Sequence, residues 1–419
     1  MRPPRGANAG AKRWRNGTMP PHANLASRRH VLCAAGAFGA TAIAGRAFGQ
    51  TARADLGTPP SVVTSPPRQW GPHAPPSIYP DPDILVLDPS FKPLLLGITA
   101  IHRVATGFLW AEGPAWSSEG QYFVFSDVQA NTQYRFLWDN RRISTFRKPS
   151  NNSNGNSFDF QGRQLSTEDF FRRVIRWEHD GTMTVIADNF EGKPLNSPND
   201  LVPHPDGSIW FTDPAYGDTL SEGHPDEAGG PTNPDGVFNP RIGAPNAGAI
   251  GGTKRALPTQ TYRWDPSGRL DVVIGEDQCP DPNGLCFSPD YKTLYVCSTG
   301  KSPGDTGPGG KGVILAFDVQ DNKLANMRQF TDMVVDGVHC GPDGLRADVF
   351  GNLWCSSNAP LGYAGVLVFN PAGKLIGRIR LPEVCANVSF GGPKRNHLLM
   401  CASQSLYMLQ VQTQGAAPG

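Results

Sequence analysis

Charge is scarce in this sequence and unevenly placed. Charged residues make up 18% of the 419 residues, and no acidic residue occurs before Asp55. Residues 1–49 contain eight of the 38 Lys and Arg residues, which leaves 30 basic against 37 acidic residues beyond them, a net charge of −7. A protein with this net negative charge lacks the basic surface that binds nucleic acid or anionic lipid. We therefore predict a small-molecule partner and no nucleic-acid partner.

Metal-binding and nucleophile motifs are also missing. Beyond Cys33 the sequence contains seven cysteines, without a Cys-x-x-Cys pair or the Cys/His spacing of a zinc site. The nine histidines show neither His-x-His nor His-Glu-x-x-His spacing, and there is no Gly-x-Ser-x-Gly elbow. These absences argue against a zinc centre and an α/β-type serine hydrolase. Because the cysteines lie in strand-like runs, we expect buried thiols.

The N-terminus has the features of an export signal. Residues 27–32 read Ser-Arg-Arg-His-Val-Leu, a twin-arginine pattern, and a weakly apolar run over 31–44 and small residues at 47–49 follow. The run is too short to span a bilayer as a folded helix. The sequence thus predicts a signal over 1–49 that the export machinery recognises, and a periplasmic or secreted mature protein without membrane association. A disordered basic tail is the alternative.

One pattern recurs beyond residue 95, a turn residue followed by a short apolar strand that ends in small polar residues. Its six copies, called the marker strands, are 120–127, 162–169, 207–214, 292–299, 351–358 and 396–403. Their spacing is typical of four-stranded propeller blades, and the 48 glycines and 40 prolines favour many turns. We predict an all-β, six-bladed β-propeller with a central metal site over 95–412. The segment from Ser405 should close the ring by pairing with an early strand.

Three segments fall outside this repeat. Residues 50–94 are rich in Pro and Ser, so they are interpreted as a lead-in or linker in which no core is expected. Residues 218–260 form a long Gly/Pro-rich loop insertion in the longest interval between copies of the repeat, either a lid or a tolerated decoration. Residues 413–419 are a short tail.

The repeat carries an oxygen-bearing side chain at one register. Eight or nine positions before each marker strand lie Glu112, Asn154, Asn199, Asn283, Asp343 and Asn387. Equivalent positions of a propeller face a common point on its axis. Two carboxylates with several amide oxygens form a hard-oxygen set that suits Ca²⁺. Asn and Asp before Gly are also common turn formers, so any one of these residues has an ordinary alternative as a turn residue.

The segments around these positions resemble a known family. They are AEGPAW (111–116), SNGNSFDFQGR (153–163), the long run 192–217, PNGLCFSPD (282–290), GPDGLRADVFGNLW (341–354) and CANVSFGG (385–392). As an ordered set they are similar to the senescence-marker-protein/gluconolactonase family of calcium-dependent propellers, and most closely to its bacterial gluconolactonase-type members. The chain departs from some relatives at Ser197, where they carry an arginine, and at 297–300, where many read ADTG.

The resemblance implies a set of site residues. It makes Glu112, Asn199, Asn283 and Asp343 ligands of one divalent cation, Ca²⁺ by preference, with Zn²⁺, Mn²⁺ or Mg²⁺ as substitutes. Asp343 is also the predicted catalytic base. Predicted substrate contacts are Asn154, Asn199, Asn387, Glu168, Tyr216 and His339.

The activity that this implies is metal-dependent hydrolysis of a small-molecule sugar lactone. Hydrolysis of a cyclic ester builds negative charge on the carbonyl oxygen, which a cation with an open position can stabilise. Two alternatives remain at this level. One is an organophosphate or aryl-ester hydrolase that uses the same site, and the other is a non-enzymatic propeller whose calcium only staples the blades.

Overall fold

The computed structural model describes residues 58–218, 255–300, 307–320 and 322–418. The predicted signal at 1–49 and most of the predicted insertion at 218–260 lie outside these ranges. The described residues form six antiparallel sheets of at least four strands each, accompanied by two short ribbons. The predicted six-bladed β-propeller is confirmed.

Each blade runs from an innermost strand at the axis to an outer strand at the periphery. Blade 1 comprises Ala111–Ser117, Tyr122–Asp127, Thr132–Leu137 and Ile143–Arg147, and blade 2 comprises Ser153–Phe158, Gln164–Glu168, Arg173–Trp177 and Met183–Ala187. Blade 3 comprises Leu201–Pro203, Ile209–Asp213, Gln260–Trp264 and Leu270–Ile274, and blade 4 comprises Pro282–Phe287, Thr293–Ser298, Val313–Gln320 and Lys323–Thr331. Blade 5 comprises Gly341–Ala347, Leu353–Asn358, Gly365–Phe369 and Leu375–Arg380, and blade 6 comprises Asn387–Gly391, His397–Ala402, Ser405–Gln410 and His102–Thr106.

The ring closes between the two ends of the described chain. The outer strand of blade 6 is His102–Thr106, which pairs with Ser405–Gln410 in antiparallel register. This confirms the predicted closure by the segment from Ser405. Because the hydrogen bonds of one sheet join residues from both ends, the ring leaves no open edge between its first and last blades.

Hydrophobic side chains fill most of the spaces between blades. Period-2 alternation places Phe123 and Phe125 on one face of their strand and Val124 on the other. All seven cysteines of the described ranges are free and buried, as expected from their strand positions. Two short ribbons lie between blades, Asn189–Phe190 with Lys193–Pro194 and Val334–Val335 with Val338–His339. Two 3-10 helices lie elsewhere, Pro89–Leu94 in the lead-in and Tyr216–Asp218 within blade 3.

The lead-in departs from its prediction. Ile84–Val86 adds a fifth strand to blade 5, and Phe91 and Leu94 are buried in the cluster between blades 5 and 6. The expectation that no core residues lie in 50–94 is therefore wrong. The reason is local: the ring of Phe91 occupies the space where a side chain at Gly377 would stand. Within the described ranges, no helix is long and apolar enough to cross a membrane.

Candidate active site

The residues predicted to face the axis lie on or next to the innermost strands. Glu112, Asn154, Asn283 and Asp343 are inside those strands, Asn387 begins one, and Asn199 lies two residues before Leu201–Pro203. The alternative that Asn283-Gly284 and Asp343-Gly344 are ordinary turns is therefore wrong.

A β-bulge accompanies the axial position in four blades. The pairing register of the innermost strand shifts between Glu112 and Ala115, Ser153 and Asn156, Pro282 and Leu285, and Pro342 and Leu345. A bulge leaves one residue outside the regular ladder and redirects its side chain. The same local irregularity is thus repeated around the axis, next to an oxygen-bearing side chain each time.

Glycine is required after two of these residues for close approach of neighbouring strands. A Cβ at Gly113 would overlap the backbone carbonyl of Asn154 in blade 2, and one at Gly284 would overlap that of Asp343 in blade 5. The Glu-Gly and Asn-Gly pairs therefore bring inner strands of adjacent blades into backbone contact. The side chains of Glu112 and Asn154, and those of Asn283 and Asp343, are brought together as a result.

These side chains line one cavity of about 230 Å³ at the axis. Its lining contains six predicted site residues, Glu112, Asn154, Asn199, Tyr216, Asn283 and Asp343. It also contains four residues that the sequence analysis did not identify, Trp110, Gln129, Thr299 and Asn358. Thr299 and Asn358 are the last residues of two copies of the repeat, 292–299 and 351–358, so the spacing of the repeat could have indicated them, whereas no sequence signal marks Trp110 or Gln129.

Both carboxylates of the cavity are held by amide donors. Asn387 Nδ2 donates to Glu112 Oε2 at 3.0 Å, and the backbone N–H of Gly113 donates to the same oxygen at 2.5 Å. Asn358 Nδ2 donates to Asp343 Oδ2 at 3.0 Å. Charge-assisted hydrogen bonds of this kind fix the orientation of each carboxylate.

Three of the four asparagines that line the cavity differ from the carboxylates. Asn154, Asn199 and Asn283 are 4%, 8% and 6% exposed, yet none of their side chains has a hydrogen-bond partner among the described residues. Buried amides are normally hydrogen bonded, so three unpaired ones around a single cavity indicate a ligand that supplies the missing interactions.

The donor chemistry fits a hard divalent cation. Two carboxylates and three amide groups can supply the oxygen ligands that Ca²⁺ accepts. In the described part of the chain, no group of three or more His, Cys, Asp or Glu side chains is arranged so that it could hold a metal ion by itself. The axial set is thus a mixture of carboxylate and amide oxygens, as the sequence predicts.

Three predicted substrate contacts are not among the lining residues. Asn387 contacts Glu112 through Nδ2, and its Oδ1 accepts from the backbone N–H of Val388 at 2.8 Å. Glu168 Oε2 accepts from Arg173 Nε at 2.5 Å, and His339 Nε2 donates to the Gly312 carbonyl at 2.7 Å. Contact of Glu168 or His339 with substrate would require a substrate that extends beyond this cavity.

A buried ion pair lies next to the axial ring. Arg346 Nη1 and Asp200 Oδ2 are 3.3 Å apart and join blade 5 to the residue after Asn199. Burial acts to lower the pKa of Arg346, but the negative charges of Asp200 and Glu112 outweigh it, so this pKa is raised. Arg346 therefore remains a cation that balances a buried carboxylate near the axis.

Comparisons with known proteins agree with this geometry. Residues 110–404 match the family described as the SMP-30/Gluconolactonase/LRE-like region. A gluconolactonase of Zymomonas mobilis is 29% identical over 354 residues, which cover 79% of this chain and 87% of the relative. The solved structure of a gluconolactonase of Xanthomonas campestris is 28% identical with a TM-score of 0.63, and the match covers 82% of this chain and 99% of that one.

A more distant structure shares the fold. Regucalcin of Agrobacterium tumefaciens, a calcium-binding protein, is 16% identical with a TM-score of 0.55, over 75% of this chain and 95% of that one. At this identity the likeness concerns the fold alone. The family match over most of the propeller, together with the axial cavity, shows that the chain belongs to the SMP-30/gluconolactonase/LRE-like family.

Proposed function

We propose that this protein hydrolyses a sugar lactone in the axial cavity. The observation that carries the proposal is the group of three unpaired asparagines beside two oriented carboxylates, in a chain whose relatives include gluconolactonases. No comparable observation favours a phosphotriester substrate or a purely structural metal.

One divalent cation is proposed to bind Glu112, Asn199, Asn283 and Asp343. Ca²⁺ is preferred because it accepts many oxygen ligands in flexible geometry, and Zn²⁺, Mn²⁺ or Mg²⁺ could substitute. When bound there, the cation would supply Lewis-acid stabilisation of the negative charge that develops on the lactone carbonyl oxygen. Asn154 faces the same space and is proposed to contact the substrate.

Asp343 is the proposed general base. Asn358 holds its carboxylate in one orientation, which suits a group that must meet a water molecule at a defined position. Asp343 would take a proton from water as the water oxygen bonds to the carbonyl carbon. The ring C–O bond then breaks, and the proton passes to the departing ring oxygen. The product is the open hydroxy acid, so the atoms of one water molecule are added.

Two other residues of the site have supporting roles in this proposal. Asn387 is proposed to position Glu112, since its amide nitrogen contacts that carboxylate and not the cavity. Tyr216 donates its hydroxyl to the Gly300 carbonyl at 3.0 Å, so its contribution to a bound lactone would come from the ring.

The decisive test is calcium-dependent acid release from glucono-1,5-lactone, corrected for spontaneous opening. We expect turnover by the chelator-treated full chain only after Ca²⁺ is restored. Asp343→Asn should lower kcat/KM at least about 100-fold, since a positioned general base contributes about 10²–10⁴-fold.

The matched control is Asp318→Asn, the same change at a half-buried aspartate in Val313–Gln320, the third strand of blade 4. It should retain full activity. Stoichiometric Ca²⁺ binding without lactone turnover above background would overturn the proposal and favour the phosphotriester or binding alternatives.

We further propose that the mature protein acts in the periplasm or outside the cell. The support is the twin-arginine pattern at 27–32. The mass of the exported protein should correspond to cleavage near residue 49, and a full-length product confined to the cytoplasm would contradict this.

A further inference from the structure

One edge of the axial cavity has no assigned role in the reaction. It is formed by Trp110, which precedes the innermost strand of blade 1, and Gln129, in the loop that follows Tyr122–Asp127. Neither residue has a side chain suited to bind Ca²⁺ as a charged ligand or to transfer a proton. They are an aromatic ring and a neutral amide beside the proposed reaction centre.

The backbone of this edge is firmly anchored. The buried side chain of Asn152 donates to the Val128 carbonyl at 2.8 Å, and the carboxylate of Asp127 accepts from the Trp110 N–H at 3.0 Å. The Val128 N–H donates to the Trp110 carbonyl at 3.2 Å, which joins the two segments. Asn131, fully buried, accepts from the backbone N–H groups of Ser150 and Asn152 at 2.9 and 2.8 Å.

The side chains that this backbone presents are unpaired. The Gln129 amide and the Trp110 indole N–H make no hydrogen bond to any residue of the described ranges. Among the described residues, the Trp110 ring also lacks the aromatic ring contacts that the nearby Trp116 and Trp138 make. A rigid backbone that offers an unused amide and an unused aromatic face is the arrangement expected of a recognition surface.

We propose that Trp110 and Gln129 form the sugar-recognition edge of the cavity and determine its preference for polyhydroxylated lactones. The indole packs against the C–H face of the lactone ring, and the Gln129 amide, which has both donors and an acceptor, binds ring hydroxyls. This assignment rests on the proposed function and specifies its substrate class. The proposal predicts discrimination against lactones of the same ring size that lack hydroxyl groups, because such a lactone covers the half-buried Gln129 amide without offering it a hydrogen-bond partner.

The test compares glucono-1,5-lactone with δ-valerolactone, a six-membered lactone without hydroxyls. For each variant the measured quantity is kcat/KM for glucono-1,5-lactone divided by kcat/KM for δ-valerolactone. Gln129→Leu, which keeps the size of the side chain but removes its hydrogen bonds, should lower this ratio about tenfold, mainly through a higher KM for gluconolactone. Trp110→Leu should also raise that KM, and Trp110→Phe should restore most of it because an aromatic face is retained.

The matched control is Gln161→Leu, the same substitution at an exposed glutamine in the first turn of blade 2. It should leave both rates and the ratio unchanged, and the melting temperatures of all variants show whether they are folded. If Gln129→Leu lowers turnover of both lactones in parallel, the residue only supports the loop and the assignment is overturned. If the unsubstituted protein hydrolyses neither lactone, the proposed function itself fails, a result that is distinct from an unchanged ratio.

Discussion

The two faces of blade 1 differ in the side chains that they present to the neighbouring blades. The face towards blade 6 buries Phe123, Phe125 and Phe136 in a hydrophobic cluster that includes Leu399 and Leu406. The face towards blade 2 presents mainly polar side chains. Among the described residues, the apolar cluster on that second side has only three buried members, Ala115, Val124 and Phe158. Two faces of one sheet therefore contact their neighbours by different kinds of interaction.

Asn156 of blade 2 is the centre of the polar interface. Its Nδ2 donates to Ser126 Oγ at 3.0 Å, and its Oδ1 accepts from Gln133 Nε2 at 2.9 Å. Gln164 Nε2 and Ser166 Oγ donate to the same oxygen at 3.1 and 2.9 Å. One buried amide thus satisfies partners from both blades.

The network reaches the axis. Asn156 Nδ2 also donates to the carbonyl of Gly113 at 2.9 Å and contacts that of Asn154 at 3.3 Å. These carbonyls belong to the residue after Glu112 and to the axial asparagine itself. Hydrophobic burial has no direction, whereas hydrogen bonds fix relative position. The comparison indicates that the apolar face supplies stability and the polar face sets the position of two axial side chains.

The largest effect should follow from placing an amide in the apolar interface. Leu399→Asn loses a fully buried hydrocarbon side chain and leaves an amide without partners, so we expect the free energy of unfolding to fall by about 4 kcal/mol. Denaturant unfolding measures it. Leu399→Met should cost less than about 1.5 kcal/mol. If Leu399→Asn lowers the free energy of unfolding by less than about 1.5 kcal/mol, this interface tolerates polar groups, and the two faces of blade 1 do not differ in the way proposed.

The reciprocal change, Asn156→Leu, should cost about 3 kcal/mol. The substitution leaves three donors, from Gln133, Gln164 and Ser166, without their shared acceptor, at about 1 kcal/mol each. It should also lower lactone turnover more than Leu399→Asn does at equal folded fraction, because the Gly113 and Asn154 carbonyls lose their donor. Asn189→Leu, at an exposed site, should stay within about 0.5 kcal/mol of the parent. Equal turnover of the two buried variants would refute the positional role.

The sequence carries enough information for the ring but not for this interface. The marker strands and the six oxygen-bearing positions repeat at one register, so fold and axial residues could be predicted from spacing alone. Besides Asn154 on its own strand, the partners of Asn156 come from four other strands in two blades, and no periodicity indicates that these groups meet. The hydrogen bond from Asn387 to Glu112 likewise depends on closure of the ring.

Two other features were beyond prediction for related reasons. Phe91 is buried because Gly377, distant in the sequence, leaves space for its ring, which the composition of the lead-in does not reveal. Gln129 lies in a loop that is held by hydrogen bonds to residues about 20 positions further along the chain, from Ser150 N–H to Asn131 and from the Asn152 side chain to the Val128 carbonyl, and no sequence pattern indicates these contacts.

The smallest predicted effect concerns basic groups at the two faces. In the polar interface, burial lowers the pKa of Arg147 to about 10, and this guanidinium, which donates to Gln133 Oε1 and Gln164 Oε1 at 2.8 Å each, is still charged at neutral pH. At the edge of the apolar interface, burial and the nearby charge of Arg141 lower the pKa of His397 to about 4, so this imidazole is neutral there.

Since the unfolded chain has a histidine pKa near 6.5, the folded protein binds fewer protons than the unfolded one between about pH 6.5 and pH 4. The free energy of unfolding should therefore fall as the pH drops through that window, and His397→Gln should make this fall shallower than in the parent protein. His73→Gln, at an exposed position of the lead-in, should leave the slope unchanged. If the parent and His397→Gln have the same slope, the apolar interface does not exclude the proton, and the two faces of blade 1 differ in their partners but not in their tolerance of charge.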